Sequence, residues 1–266
     1  MLDSERVKLR DALAAIAREA GELALTTAKG AMKRWMKAGS SPVSEADIAV
    51  DQFLSTRLPP LVPNAGWLSE ETEDNPARMT ASKVWVVDPI DGTRAFLDNR
   101  PDWAVSIALV EDGRPTVAAL YAPITDEMFL ATRGGGATRN GAQMKIAAGD
   151  SLDGARIAAP KSHLDRLAEI DPRVRPQPKI FSLALRTTRV ASGELEAAFG
   201  SKNSHDWDLA AADLLVHEAG GALTDLAGTA ITYNRPDPVH GTLIAAGVDR
   251  HRALIELLRD RRGEFA

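Results

Sequence analysis

Asp88 and Asp91 stand three residues apart in VWVVDPIDGTRAF, residues 84 to 96, directly after a run of β-branched and aromatic residues. Two carboxylates held close repel, and without a partner one of them takes up a proton. A divalent cation resolves the conflict. Magnesium prefers oxygen ligands, uses one or two carboxylates per ion, and keeps room for waters and phosphate oxygens. Gly92 and Thr93 follow the acids, and their backbone N–H groups can face an anion, more strongly if a helix begins there. The ordinary reading of two Asp near a turn is an Asx turn or a helix cap. Two further acidic stations weigh against it. Glu70 and Glu71 follow the apolar pair Trp67-Leu68 in LSEETED, and Asp208 opens the apolar helical pattern of HDWDLAAADLLVHEAGG. A solvated loop would explain the first, and an N-cap favoured by the helix dipole the second. One shared metal site beside a phosphate explains all three together.

The elements that must position these groups follow from periodicity. Apolar residues near a 3.6 spacing predict a helix over 3–36, and a second from about Ser44 to Leu58, with Ser44 as N-cap and Asp47 in its first turn. GSSPVS, 39–44, separates them, and Pro59, Pro60 and Pro63 end the second. GWLSEETED follows with no element assigned, and NPARMTASK reads as a polar loop. Val84 to Val87 read as a buried strand that Pro89, lacking an N–H, must stop, leaving Asp88 at its C-terminal end, where ligand sites tend to form. VSIALV, PTVAALYA and EMFLAT are short strands between turn signals, and RGGGATRNG reads as a turn. In the second half, ARIAAP, KIFSL, EAAFG and HGTLIAAG read as strands. SHLDRLAEI, LALRTTRVASGEL, DLAAADLLVHEAGG and RHRALIELLRDRR read as helices, with Gly220 capping the third. The order predicts an α+β first half, 1–147, and an α/β second half, 148–266, packed as layers of one unit.

Composition narrows the class. The 266 residues suffice for a real core, and 44% are hydrophobic, which excludes disorder. A net charge of −5 argues against a nucleic-acid face, which needs a basic surface. There is no cysteine, so any metal is held by oxygen or imidazole. No run reaches the length of a membrane span, and the N-terminus lacks the apolar core of a secretion signal. A soluble, cytoplasmic protein is expected.

The sequence resembles the inositol monophosphatase family of lithium-sensitive, magnesium-dependent phosphatases. SEE at 69–71, WVVDPIDGT at 85–93 and WDLAAADLLVHEAGG at 207–221 carry the likeness, and SPVSEAD at 41–47 adds to it. The resemblance implies a layered α/β/α/β/α sandwich of the inositol monophosphatase and fructose-1,6-bisphosphatase type, often a homodimer. It implies two or three Mg2+ ions. Glu70, Asp88 and the Ile90 carbonyl would bind the first, and Asp88, Asp91 and Asp208 the second. A third, weaker ion would also use Glu70. Gly92 and Thr93 would receive the phosphate, and Asp47 would pair with the Thr93 hydroxyl to orient the attacking water.

The resemblance also bears on the ester hydrolysed. Arg94 stands where inositol enzymes usually carry a small polar residue. Bisphosphate nucleotidases usually carry a basic one there, and histidinol phosphatases can read DGTRAF. Arg186 matches a nucleotidase lysine, and a second substrate phosphate needs a cation. The ordinary alternative is a structural arginine. Ser201 stands where inositol enzymes place a Glu, and Lys202 and Lys37 add basic candidates. Tyr233 or His240 would form a pocket wall near a base, whereas Trp67 and Trp103 read as packing residues. The leading expectation is hydrolysis of adenosine 3',5'-bisphosphate, in the branch of the 3'(2'),5'-bisphosphate nucleotidases. Inositol-1-phosphate comes next, then histidinol phosphate. A small phosphorylated metabolite is the expected partner. A non-enzymatic role beside a transcription complex leaves the acidic set without a purpose.

Overall fold

The computed structural model describes residues 1–29, 33–36 and 42–265. Lys37 and residues 39–41 of the predicted break lie outside them. The chain begins with α1 (Asp3–Ala28), then β1 (Arg34–Met36), β2 (Pro42–Ser44) and α2 (Glu45–Arg57). β3 (Gly66–Ser69), β4 (Lys83–Asp91), the single-turn α3 (Thr93–Leu97), β5 (Ala104–Glu111), β6 (Arg114–Ala122), β7 (Glu127–Thr132), β8 (Gly136–Arg139) and β9 (Ala142–Gln143) follow. The second half holds β10 (Arg156–Ala158), α4 (Lys161–Ile170), β11 (Arg175–Pro176), α5 (Leu183–Ala191), β12 (Ala197–Gly200) and β13 (Ser204–His205). It ends with α6 (Asp206–Glu218), β14 (Gly221–Asp225), β15 (Val239–His240), β16 (Leu243–Gly247) and α7 (Val248–Leu257). No helix among the described residues is long and apolar enough to cross a membrane.

Two sheets organise the molecule. One has seven strands in the order β3-β4-β5-β6-β7-β8-β9, and the other five in the order β11-β10-β12-β16-β14. Because strand side chains alternate between faces, the first sheet separates two cores. Trp85, Val87, Val105, Ile107 and Val117 point to one side, where Leu13, Ile16 and Ala20 of α1 and Val50 and Leu54 of α2 cover them. Val84, Val86, Ala108 and Leu120 point to the other and meet α5 and α6. Those helices also cover Ala158, Ala198 and Ala245 of the second sheet, whose far face, with Ile157, Phe199 and Ile244, packs under Leu167 of α4 and Leu254 of α7. The result is the five-layered α/β/α/β/α sandwich, with α5 and α6 as its shared middle layer. Large side chains on the two faces of the first sheet, Trp85 on one and Phe129 on the other, are wholly buried, each contributing roughly 1.5–3 kcal/mol.

Several elements depart from the sequence reading. The first helix ends at Ala28, and Arg34–Met36 pairs antiparallel with Pro42–Ser44 instead of continuing the helix. The helical composition of that stretch yields to pairing with a neighbouring strand. β3 forms where no element was assigned, and β14 follows directly on the predicted helix end, because each edge is taken up by a partner strand, β4 and β16 respectively. Gly136–Arg139 is a strand, not part of a turn, since β7 offers it a free edge. KIFSL is irregular, and the strand near it is Arg175–Pro176. Gly220 sits one residue past the α6 cap, Ala219, with φ +94°, a conformation glycine adopts without strain.

Candidate active site

β4 answers how two acids three apart come together. In a regular strand, residues i and i+3 point to opposite faces. β4 does not stop at Pro89 as expected. It runs on to Asp91, with its register against β5 shifted between Asp88 and Asp91. Pro89 has no N–H for the ladder, and the bulge it forces turns both carboxylates to one side. α6 brings Asp208 to the same place, and ligand oxygens of Asp88, Asp91 and Asp208 lie within 4.8 Å of one another. The parallel pairing of β3 sets Ser69 beside Val87, so Glu70 emerges next to Asp88, with its N–H donating to the Val87 carbonyl at 3.3 Å.

Each carboxylate is held differently. Asp88 is 1% exposed, and its Oδ1 accepts from the Ile90 N–H at 3.0 Å, while its Oδ2 has no protein partner. Burial, and then the charges of Glu70, Asp91 and Asp208, push its pKa well above the usual carboxylate value. Asp208 is raised in the same way by burial and by Asp91 and Glu70, although its Oδ2 accepts from the His205 N–H at 2.6 Å. Asp91 is raised by burial and partly relieved by hydrogen bonds. Its carboxylate accepts from Ser182 Oγ at 2.5 Å, the Ala184 N–H at 2.7 Å and the Leu183 N–H at 3.3 Å, and so caps α5. A buried oxygen without a donor amid like charges, and an all-oxygen donor set, are what hard divalent cations require. The site fits them.

Gly92 leads into α3 with φ +93°. A Cβ there would lie 3.0 Å from both the Asp102 carbonyl oxygen and the Ser182 nitrogen, so only glycine fits. The first N–H groups of α3 have no partner within the helix. Thr93 Oγ1 lies 3.1 Å from both Asp47 Oδ1 and the Ile90 carbonyl. Asp47, at the third position of α2, also accepts from the Ser44 N–H at 2.8 Å and Ser44 Oγ at 2.6 Å. Burial pushes its pKa up, and the Ser44 bonds oppose this.

These groups line a cavity of about 750 Å³. Glu70, Asp88, Asp91, Gly92, Thr93 and Asp208 border it, as do Arg94, Arg186 and Ser201. Arg94 is exposed there. Arg186 is 6% exposed, and its Nε has no partner. Burial lowers its pKa to about 10, and Asp91 and Asp208 act against that fall. Lys161 and Lys179, which the sequence reading passed over, stand on the wall with Leu164 and Phe181. No local pattern marks them, since Lys161 opens α4 and Lys179 lies in the irregular stretch before α5, and only the fold brings the two together here.

Tyr233 and His240 are not in the wall. They are buried beside the start of α6, where Tyr233 donates to Asp213 at 2.9 Å and His240 Nε2 lies 2.6 Å from Asp206. Their polar ends are taken up by buried acids, so they cannot face a base. Lys202 is exposed and is not among the lining residues. Trp103 packs edge-on against Phe96, and the indole N–H of the half-buried Trp67 donates to Thr72 Oγ1 at 3.3 Å.

Comparison with known proteins agrees with this geometry. The profile of the inositol monophosphatase family matches residues 5–262. An inositol-1-monophosphatase of Rhizobium meliloti is 34% identical over 202 residues, covering 73% of this chain and 75% of the relative. A 3'(2'),5'-bisphosphate nucleotidase, CysQ, of Aggregatibacter actinomycetemcomitans is 32% identical over 229 residues, 83% of this chain and 85% of the relative. The crystal structure of the extragenic suppressor protein suhB from Bartonella henselae superposes with a TM-score of 0.83 at 28% identity, covering 96% of this chain and 99% of that one. The chain belongs to the inositol monophosphatase family: metal-dependent phosphatases that hydrolyse phosphoric monoesters of small molecules.

Proposed function

We propose that this chain is a magnesium-dependent phosphomonoesterase that hydrolyses adenosine 3',5'-bisphosphate to AMP and phosphate. Arg186 carries the reading: a buried guanidinium with an unpartnered Nε, bordering the same cavity as the acidic cluster. Such a group has little reason to be desolvated unless an anion meets it. Lys161 and Lys179 on the same wall support a second negative group on the substrate. The nucleotidase relative is consistent with this reading.

Glu70, Asp88, Asp91, Asp208 and the Ile90 carbonyl would hold two or three Mg2+ ions. Bound there, the ions supply phosphoryl charge neutralisation and an acidified water near neutral pH. The N–H groups of Gly92 and Thr93 would receive a phosphoryl oxygen. Thr93 donates to Asp47, which leaves the hydroxyl oxygen to accept from the attacking water and Asp47 to draw the proton away. Attack is in line and direct, with no covalent enzyme intermediate. A cytoplasmic setting and a homodimer belong to the same proposal, on family likeness.

Inositol-1-phosphate is the second reading, favoured by the Rhizobium relative at 34% identity, and histidinol phosphate follows. The test is kcat/KM measured side by side on the three esters, for the native chain and for Arg186→Ala. The nucleotide should lead, and the substitution should cost it about ten- to a hundredfold, the range of one charge-assisted contact. Inositol-1-phosphate should change little. An unchanged nucleotide advantage in Arg186→Ala removes the second-phosphate argument.

A further inference from the structure

α2 carries a second carboxylate one turn after Asp47. Asp51 is 7% exposed and lies outside the acidic cluster. Both of its oxygens are spent on one short segment. Oδ1 accepts from Ser69 Oγ at 2.5 Å, and Oδ2 accepts from Thr72 Oγ1 at 2.7 Å. Ser69 and Thr72 bracket Glu70 and Glu71. The bracket is reinforced from within: the Glu71 N–H reaches Ser69 Oγ at 3.4 Å, and Trp67 Nε1 reaches Thr72 Oγ1 at 3.3 Å. No ion pair to Asp51 occurs among the described residues. A buried carboxylate without a cation is an expensive way to hold a loop, and an apolar side chain would pack the same space more cheaply. What an apolar residue would not do is fix two hydroxyls at a set separation.

The backbone leaves this task open. Among the described residues, main-chain hydrogen bonds past β3 include the Glu70 N–H on the Val87 carbonyl and, further on, the Arg78 N–H on the Asn75 carbonyl. The Asp51 bonds to Ser69 and Thr72 add a side-chain constraint on either side of Glu70. We propose that Asp51 is a positioning residue for Glu70: by gripping the two flanking hydroxyls it aims the Glu70 carboxylate at Asp88. One helix then anchors both the Asp47–Thr93 pair and the first carboxylate of the cation site, through Asp47 and Asp51 one turn apart on α2. This rests on the reading of Glu70 as a cation ligand.

The experiment compares the native chain with Glu70→Gln, Asp51→Leu and Asp51→Asn. Mn2+ binding is followed by electron paramagnetic resonance, and thermal unfolding and magnesium-dependent kinetics are measured alongside. Asp51→Leu should fold, with its midpoint unchanged or raised in the absence of metal. Its half-saturating Mn2+ should rise about tenfold or more, the usual effect of removing an outer support. kcat should fall at fixed Mg2+ and recover in part at high Mg2+, with KM for the ester little changed. Asp51→Asn, which keeps one acceptor, should lie between. A purely structural Asp51 would lower the unfolding midpoint and leave Mn2+ affinity intact; that result, in either Asp51 variant, overturns the proposal. If Glu70→Gln binds Mn2+ like the native chain, the ligand assignment itself falls, and the inference with it.

Discussion

Asp88→Asn should stop turnover and, without metal, make the protein more stable. The side chain is 1% exposed, and oxygens of Asp91 and Asp208 lie within 4.8 Å. Two unit charges at that distance repel by about 3.5 kcal/mol at an effective dielectric near 20. Two such neighbours exceed the alternative cost. Protonating an aspartate of ordinary value 3.8 at pH 7 takes about 4.4 kcal/mol, which caps the penalty. Asparagine removes the charge, keeps the volume, and keeps the acceptor for the Ile90 N–H. After allowance for its own desolvation, the metal-free variant should gain about 2–4 kcal/mol, or roughly 5–10 °C in Tm for a chain of this length. Saturating Mg2+ should reverse the order, because only the native site gains from mass action. Differential scanning calorimetry with chelator and with Mg2+, beside a phosphate-release assay, reads both effects. A metal-free variant less stable than the native chain, or one with retained magnesium-dependent turnover, would refute the electrostatic account.

The raised carboxylates also set a pH dependence. In the proposed site their deprotonated forms are the ligands, so protons should compete with metal from well above the ordinary value of 3.8, and the Mg2+ needed for half-activity should climb as pH falls. The folded metal-free protein binds more protons than the unfolded chain in that window. Its stability should therefore increase on mild acidification and be lost as pH rises through the folded values, a trend that Mg2+ flattens. Thr93→Ala should lower kcat about a hundredfold with Mn2+ affinity unchanged, measured by kinetics and titration, since the hydroxyl aims a water and is not a ligand in the proposed mechanism. Gly92→Ala should destabilise by more than about 1 kcal/mol and weaken inhibition by inorganic phosphate, because φ +93° and two 3.0 Å contacts leave no room for a Cβ. Arg78 joins Asp74 at 2.6 and 2.8 Å to Asn234 at 2.7 Å, so Arg78→Met should cost about 2–3 kcal/mol in urea unfolding.

The acidic residues were legible because each lies beside a strong local signal. Asp88 follows a buried run, Asp208 opens an apolar helix, and Ser44 with Asp47 makes a capping pattern. The bulge was only half legible: Pro89 announced a break, but pairing of Asp91 with Ala104 beyond it depends on β5. Asp51 was illegible, since an aspartate inside a helix reads as solvated until Ser69 at the end of β3 and Thr72 just beyond it arrive. β3 was missed for a related reason. Four residues carry little periodicity, and its strand character comes from its alignment on β4. The extension of the first helix to Met36 erred in the opposite sense, with local propensity at Arg34–Met36 outweighed by pairing with β2.

Asp91 has a divided allegiance. The same carboxylate that faces the cluster also closes the N-terminus of α5, and Arg186 sits in the first turns of that helix. Whatever draws electron density from one of its oxygens loosens or tightens the grip on the other end. If the cluster takes cations as proposed, their loading and the placement of the Arg186 guanidinium are geared together through this single side chain.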